Sequence, residues 1–282
     1  MNRNLRDLKI GLMQGRLSPI VDGRIQSFPW NHWENEFSIL QEIGIPILEW
    51  TIDSRNIFSN PLLTSDGRAK IYKLQENFDI QINSVTCDFF MENPPWISRN
   101  NFLLNIEVIN LLTEAAKELG FLNLVIPLVD NSSMRRKADF FAVLECLSSF
   151  EFARGNVKFL FETDLKAPIF YAFLNELDPL LYGVNLDIGN SASYGWEPEE
   201  EIEVLGSRIE NVHIKDRVLS GPSVPLGEGR ANFSEYLKLL AQIKYSGSYI
   251  LQTARSKNEQ HQQEVEKNLE FILKRFELAL SS

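Results

Sequence analysis

The sequence is poor in cysteine and histidine and has no excess of positive charge. Two cysteines in 282 residues cannot supply a disulfide framework, which favours a cytoplasmic protein over a secreted one. Lys and Arg total 28 against 38 Asp and Glu, a net charge of −10, and this acidic balance argues against a nucleic-acid-binding protein. With 44% hydrophobic and 23% charged residues, the composition is otherwise that of an ordinary globular chain.

Long apolar runs are also missing. None approaches the length of about 18 residues that a membrane-spanning helix needs, so we expect no membrane partner. The segment Met1–Lys9 carries charge without an apolar stretch behind it, and we expect no secretory signal there. These absences leave a cytoplasmic enzyme or binding protein as the expectation.

The sequence does contain a regular alternation of short apolar runs and longer amphipathic segments. The apolar runs predict eight β-strands: Ile10–Met13, Pro46–Trp50, Ile80–Thr86, Leu122–Leu128, Val157–Phe161, Tyr182–Leu186, Ile209–Ile214 and Tyr249–Leu251. The segments between them have the spacing of amphipathic helices. Eight such units predict the α/β class and a (β/α)₈ TIM barrel. Because no Pro/Ser/Gly-rich linker divides the chain, we expect a single domain over residues 1–282.

A doubly wound open sheet is the alternative fold for such a pattern. It would usually carry a glycine-rich phosphate loop after the first strand. The segment Met13–Leu17 is not such a loop, so the barrel is favoured.

Polar side chains follow four consecutive predicted strands. They are Glu162, Asp187, His213 and Gln252, and a barrel brings such strand ends to one rim. Three oxygen donors and one imidazole suit a single divalent ion such as Mn²⁺, Mg²⁺, Co²⁺ or Zn²⁺. Taken alone, Asp187 could instead be a helix N-cap.

The remaining histidines and the longest charge run have simpler interpretations. We expect His32 to pack at the start of the first helix and His261 to be solvated in the last helix. The acidic run over residues 197–203 is typical of the solvated first turns of a helix, where negative charge is favourable.

Nearly the whole chain resembles the xylose-isomerase-like TIM barrels, a superfamily that includes sugar-phosphate isomerases and epimerases, and the resemblance is strongest from Glu162 to Gln252. The resemblance rests on Phe-Glu-Thr-Asp at 161–164, Leu-Asp-Ile-Gly-Asn at 186–190, Val-His-Ile-Lys-Asp-Arg at 212–217 and Pro-Leu-Gly-Glu-Gly-Arg-Ala-Asn-Phe at 225–233. It implies that Glu162, Asp187 and His213 are metal ligands and that Arg217 reaches the substrate. Asn190 stands where many members carry a second histidine.

Gln252 departs from this family, whose sugar epimerases have a glutamate there as metal ligand and second acid–base group. An amide oxygen can coordinate a cation, but the amide cannot exchange a proton near neutral pH. One-base isomerisation through an enediolate survives this loss, with Glu162 as the base and Lys215 or Arg217 as the electrophilic group. Three other acids at strand ends could replace the missing one: Glu49, Asp88 and Asp216.

Basic and aromatic residues near the same rim suggest how a substrate is held. Arg217, Arg230 and Arg255 could bind a phosphate, since loops after the seventh and eighth strands of barrels commonly do so. Arg230 could equally pair with a surface acid beside a glycine turn. Trp50 could form an aromatic wall against a sugar ring, although aromatic residues also fill barrel rims.

We therefore expect a metal-dependent isomerase or epimerase of a small sugar, sugar phosphate or related polyol. A keto-polyol dehydratase of the inosose type is the alternative, since it also needs one base. A catalytically inactive sugar-binding barrel is a further alternative, because Gln252 replaces the second glutamate. DNA repair is disfavoured by the scarcity of histidine and by the acidic charge. Association into a homodimer or homotetramer would be ordinary for such a barrel.

Overall fold

In the computed structural model, which describes residues 8–256 and 258–281, eight parallel strands form a closed barrel. The barrel strands are β1 (Lys9–Met13), β2 (Ile47–Ile52), β3 (Gln81–Cys87), β4 (Asn123–Leu128), β5 (Lys158–Thr163), β6 (Tyr182–Asp187), β7 (Ile209–Ile214) and β10 (Ser248–Leu251). Each pairs with its neighbours along the chain, and β10 closes the barrel against β1. The predicted (β/α)₈ fold is confirmed, and every predicted strand coincides with an observed one to within two residues at its ends.

Helices surround the barrel. They are α1 (Asn35–Ile43), α2 (Ser65–Phe78), α3 (Asp88–Glu92), α4 (Arg99–Leu119), α5 (Lys137–Arg154), α6 (Ala167–Leu174), α7 (Ile188–Tyr194), α8 (Pro198–Leu205), α9 (Phe233–Gln242) and α10 (His261–Ser281). A two-stranded antiparallel ribbon of β8 (Asp216–Arg217) and β9 (Ser223–Val224) follows β7. Among the described residues, no helix is both long and apolar enough to cross a membrane.

Local sequence explains where these helices begin and end. In α4, the Ser98 side chain accepts a hydrogen bond from the backbone N–H of Asn101, and Gly120 ends the helix with a φ of 86°. Both are preferred capping arrangements, because the serine oxygen satisfies a free N–H group and glycine tolerates the left-handed region. The apolar face of α4, including Val108 and Leu112, is buried against the barrel core.

Strand alternation decides which side chains fill the barrel interior. Met13, Ile47 and Ile250 form a small buried cluster of their own. A Cβ atom on Gly11 would lie 2.6 Å from Ile250 Cδ1 and 2.8 Å from Ile47 Cγ2, so only glycine fits at this point of β1. Above this apolar layer, the interior becomes polar towards the carboxyl ends of the strands.

The structure corrects three simpler expectations for polar residues. His261 is buried at the first turn of α10, because this helix packs back on the segment after β10, where Asn268 donates a hydrogen bond to Thr253. His32 lies in the turn before α1, as expected, but its side chain is exposed. Within the acidic run of α8, Glu201 is buried and accepts hydrogen bonds from the hydroxyls of Ser191 and Tyr236, so this run is only partly solvated.

Burial of Glu201 predicts a pH-dependent stability. Burial raises the pKa of Glu201 from its ordinary value of 4.5 to about 7 in the folded chain. The folded state therefore holds this proton more tightly than the unfolded state, and the stabilisation is lost as pH rises from 4.5 through about 7. We expect the free energy of unfolding to fall by about 1–3 kcal/mol over that interval because of this group.

Urea unfolding of the Glu201→Gln variant from pH 5 to pH 8 checks this prediction. The decline should be smaller in this variant than in the wild type by about 1–3 kcal/mol, whereas Glu200→Gln, at an exposed neighbouring position, should behave as the wild type does. Identical pH profiles for Glu201→Gln and the wild type would contradict the prediction.

Candidate active site

Two carboxylates and one imidazole meet at the carboxyl ends of β5, β6 and β7. Glu162, Asp187 and His213 are all buried, and each offers one ligand atom within 4.8 Å of the other two. Consecutive parallel strands carry them, and their inward-facing positions bring them to one rim. The three residues predicted from separate strand ends therefore form one cluster that could bind a metal ion.

His213 lies between two glutamates. Its Nε2 atom is 2.6 Å from Glu49 Oε1, and its Nδ1 atom is 3.4 Å from Glu162 Oε2. Burial alone would lower the pKa of His213, but Glu49 and Glu162 outweigh it and raise the pKa to about 10. The paired imidazolium in turn holds the pKa of Glu49 below its ordinary value despite burial. Nε2–H thus points to Glu49, and Nδ1 is the ring atom that faces the cluster.

The Glu49 carboxylate accepts hydrogen bonds from four side chains in the barrel interior. Besides His213, it accepts hydrogen bonds from the hydroxyls of Ser84 and Thr86 and from the Asn211 amide. A carboxylate with four donors is fixed in position. Its contact with His213 is the type of support that orients the imidazole ligands of metal sites.

Two asparagines orient the Glu162 carboxylate. Asn190 donates to Glu162 Oε1 at 2.6 Å, and Asn185 donates to Oε2 at 2.9 Å. Asn190 is placed by Asp187, whose side chain caps α7 and accepts the Asn190 backbone N–H at 2.9 Å. Asp187 is therefore both a helix N-cap and a member of the cluster. Arg217 donates to Asn190 Oδ1 at 2.7 Å and is joined to the group through that residue.

Lys215 connects Asp187 to Gln252. Its Nζ atom donates to Asp187 Oδ2 at 2.6 Å and to Gln252 Oε1 at 3.1 Å. Burial would raise the pKa of Asp187, but the Lys215 charge and then His213 lower it overall. A Cβ atom on Gly189 would lie 2.7 Å from Lys215 Cγ, so glycine at the start of α7 allows the lysine to approach.

The structure places the other predicted substrate residues apart from this group. Arg230 is exposed, and its backbone N–H donates a hydrogen bond to the Arg217 carbonyl. Arg255 is half-buried on the β1 side, where it donates to the Ser18 carbonyl. Trp50 is fully buried outside the barrel interior and donates to Asn60 Oδ1 at 3.0 Å, because strand alternation turns it outward when Glu49 faces inward.

Sequence reasoning did not identify the asparagines inside the barrel. Asn185 and Asn211 lie two residues before Asp187 and His213, on the same inward face of their strands, and they bond to each other at 2.9 Å. That two-residue spacing was the available signal. Asp216, a candidate acid from the sequence, instead accepts the backbone N–H groups of residues 227, 229 and 231 and thereby shapes the glycine-rich loop.

The donor set fits a small divalent ion. Carboxylate oxygens from Glu162 and Asp187 and the Nδ1 atom of His213 are ligands that Mn²⁺, Mg²⁺, Co²⁺ and Zn²⁺ accept. Gln252 Oε1 accepts a hydrogen bond from Lys215, which also bonds to Asp187, and this amide oxygen could serve as a neutral fourth ligand. Lys215 bonds to one Asp187 oxygen, so the lysine would have to share or release that atom.

The chain forms a closed barrel and carries buried carboxylate and imidazole side chains at the carboxyl ends of its strands. TIM-barrel enzymes have their active sites at that end, so fold and site together indicate a protein of this class. Residues 37–275 match the sequence model of the family described as xylose isomerase-like TIM barrel. The chain belongs to this family, as the sequence resemblance indicated.

Individual relatives are distant. A Haemophilus influenzae protein named "Putative L-ribulose-5-phosphate 3-epimerase SgbU" is 28% identical over 100 residues, which are 33% of this chain and 35% of that protein. The match thus spans about a third of the length of that curated relative. A xylose isomerase domain protein from Planctomyces limnophilus superposes with a TM-score of 0.73 at 15% identity, over 98% of this chain and 99% of that one.

A sugar-bound structure has the same fold. D-psicose 3-epimerase from Clostridium cellulolyticum H10, solved with D-tagatose, gives a TM-score of 0.72 at 15% identity, over 95% of this chain and 99% of that one. At this identity the similarity establishes the shared barrel and nothing finer.

Proposed function

We propose that the protein is a divalent-metal-dependent isomerase or epimerase that acts on a small sugar, a sugar phosphate or a related polyol through an enediolate. The observation that carries the proposal is the Glu162 carboxylate, which is buried beside Asp187 and His213 and is oriented by two amides. The relatives that are named as epimerases support the substrate class.

Glu162, Asp187, His213 and the Gln252 amide oxygen would hold the metal. When bound, a divalent ion would polarise the substrate carbonyl and stabilise the negative charge of the enediolate. Lys215 adds a positive charge beside the same oxygens through its position between Asp187 and Gln252.

Glu162 acts as the base in this proposal. It takes the proton from the carbon next to the substrate carbonyl and returns it to the neighbouring carbon on the same face. Asn185 and Asn190 hold the carboxylate in one orientation, which keeps it aimed at that carbon. Arg217, which is joined to Asn190, would bind substrate oxygens, and the more distant Arg230 and Arg255 remain candidates for a phosphate group.

Gln252 favours a second candidate function, the dehydration of a keto-polyol. The Gln252 amide cannot take or give a proton, so chemistry that needs bases on both faces of one carbon loses one of them. Dehydration needs a single base to form an enolate and then expels a hydroxyl group. It uses Glu162 in the same first step and differs in the product.

Hydrogen exchange with solvent tests the proposed function. Protein purified without chelator is incubated in D₂O with a panel of pentuloses, hexuloses and their phosphates, and NMR reports deuterium at carbon. We expect about one divalent ion per chain, and exchange with at least one sugar that EDTA abolishes and Mn²⁺ or Co²⁺ restores. Release of water with loss of the sugar would assign the dehydratase.

The same experiment can contradict the proposal. An absence of exchange across the panel with protein loaded with Mn²⁺ and Co²⁺ in turn would favour a barrel that only binds a ligand. Exchange that EDTA leaves unchanged would remove the metal from the proposal and leave Glu162 and Lys215 to do the chemistry.

A further inference from the structure

Two arginines, called the arginine pair below, connect the loops that follow β1 and β10. Arg16 Nε donates a hydrogen bond to the Thr253 carbonyl at 2.9 Å, and Arg255 Nη2 donates one to the Ser18 carbonyl. Each loop thus sends its arginine to the backbone of the other. A Cβ atom on Gly15 would lie 3.5 Å from Arg255 Nη1, so Arg255 lies against the residue that directly precedes Arg16.

No carboxylate neutralises the arginine pair. Across residues 8–256 and 258–281, the arginines that form ion pairs are others. The buried Glu36 carboxylate accepts its hydrogen bonds from the loop after β1 instead. Burial, and then the charge of Arg255, lowers the pKa of Arg16 from 12.5 to about 9, which Asp88 and Glu36 offset only in part. Two neighbouring guanidinium groups in a buried setting are unfavourable unless an anion joins them.

The arginine pair also keeps hydrogen-bond donors unused. Arg16 bonds through Nε and Nη1, and within the described chain its Nη2 atom has no acceptor. Arg255 Nε is enclosed and has no hydrogen-bond partner either. Arg16 is only 4% exposed, whereas Arg255 is half-buried and forms the more open side. Unsatisfied buried donors need an explanation such as a bound ion or a functional role, and the positive charge here selects an anion.

On one side, the arginine pair adjoins the cluster. Thr253, whose carbonyl holds Arg16, directly follows Gln252. Gln252 Oε1 accepts a hydrogen bond from Lys215 at 3.1 Å, and Lys215 bonds to Asp187 of the cluster at 2.6 Å. One peptide unit, about 3.8 Å between Cα atoms, therefore separates the residue that holds Arg16 from a residue that contacts the cluster through Lys215.

On the other side, Arg16 is bonded to a segment that lines the barrel mouth. Its Nη1 atom donates to the Ile25 carbonyl at 3.3 Å, and the neighbouring Gln26 donates from its side chain to Thr51 Oγ1 at 2.7 Å. Thr51 lies two residues after Glu49 in β2 and shares its inward face. The Arg16 guanidinium group thus lies between a segment beside the cluster and a segment on the inner wall.

We propose that the arginine pair binds the phosphate group of the substrate, and that the substrate is therefore a phosphorylated sugar. This inference rests on the proposed function and selects one of its substrate classes. Guanidinium groups present paired N–H donors that match phosphate oxygens, and two of them neutralise a dianion. The loops that carry the pair follow β10 and β1, which adjoin β7 and the cluster, so a short sugar chain can connect the two sites. Loops in this part of a barrel commonly bind phosphate.

Calorimetric titration with inorganic phosphate tests the site without turnover. We expect the wild type to bind phosphate, and Arg16→Gln and Arg255→Gln to bind it about 10- to 100-fold more weakly, because each loses charge-assisted hydrogen bonds. Arg24→Gln is the matched control. Arg24 lies in the same loop after β1 but forms an ion pair with Glu92 at 3.1 Å, so its variant should keep the wild-type affinity. Circular dichroism shows which variants are folded, and Arg255→Gln, at the less buried position, provides the test if Arg16→Gln does not fold.

Kinetics on matched sugars separate a phosphate site from a structural role. On a sugar phosphate that the wild type exchanges, Arg255→Gln should raise KM by about 10- to 100-fold with little change in kcat, because it loses binding energy that is the same in the ground and transition states. On the same sugar without phosphate, the variant should keep the wild-type kcat/KM. Merely weakened packing of the two loops would lower the activity on both sugars.

The results distinguish this inference from the proposed function. A wild type that binds no phosphate, or variants that bind it as tightly as the wild type does, would overturn the phosphate site. Exchange of the free sugar as fast as its phosphate would overturn it too, and all these results leave the proposed function intact. Phosphate binding that depends on the arginine pair, in a protein that exchanges no sugar, would support the site and contradict the proposed function.

Discussion

Glu162→Gln should reduce turnover by about 10²- to 10⁴-fold, because the amide cannot accept the proton that the proposed reaction removes from carbon. The substitution conserves volume, and Asn185 and Asn190 can still bond to one of the two terminal atoms. The fold should therefore survive, with some loss of stability where the new NH₂ group faces an amide donor. Deuterium exchange and kcat on the identified sugar measure the effect.

A matched control lies at the other end of the barrel. Glu210 on β7 pairs with Lys158 at the amino-terminal ends of the strands, so Glu210→Gln removes a charge of the same type away from the site. It should keep wild-type turnover, since the chemistry of such barrels lies at the carboxyl ends. Retention of more than about a tenth of the wild-type rate by Glu162→Gln would exclude this residue as the base.

Glu49→Gln should weaken divalent-metal binding by about 10- to 100-fold, although Glu49 is not one of the proposed ligands. Its negative charge stabilises Nε2–H of His213 and makes the Nδ1 atom a stronger metal ligand. The neutral amide of glutamine would not have that effect. The variant should also be less stable by about 3–5 kcal/mol, because a buried ion pair is broken and several donors then compete for one oxygen. Titration with Mn²⁺ or Co²⁺ by calorimetry, together with urea unfolding, measures both effects.

Glu36→Gln provides the comparison for that experiment. Glu36 is also buried near the carboxyl ends of the strands and accepts hydrogen bonds from Gly15, Leu17 and Ser18, but it does not contact His213. This variant should lose stability and keep the metal affinity of the wild type. If Glu49→Gln also binds the ion as the wild type does, then Glu49 supports only the fold.

Much of the fold could be predicted because the signal was local. Each barrel strand is buried on both faces, so it appears in the sequence as a short apolar run, and eight such runs are enough to indicate the barrel. The same property hides which face of a strand is inside. In β2, all six residues are buried, and nothing in Ile-Leu-Glu-Trp-Thr-Ile shows that Glu49 faces the interior and Trp50 the helices.

The site could be predicted only where the chemistry coincided with a strand end. Glu162, Asp187 and His213 satisfied that condition. The contact between Glu49 and His213 joins residues that are 164 positions apart, and it depends on barrel closure and on the register of β2 and β7. Likewise, nothing local distinguishes Arg16 from Arg24, because their difference lies in whether the fold brings a carboxylate to the guanidinium group.

The hydrogen bonds around the cluster bear on the order in which the chain folds and acquires its ion. Glu49, Glu162 and Asp187 already have protein donors for their oxygens, and His213 and Lys215 offset most of their charge. Three carboxylates against an imidazolium and an ammonium leave one negative charge, and exchange of the His213 proton for a divalent ion leaves none. A zinc finger needs its metal to fold, whereas this barrel satisfies its polar interior with its own side chains. The chain can therefore fold before it binds the ion, and metal binding then replaces the His213 proton in the folded barrel.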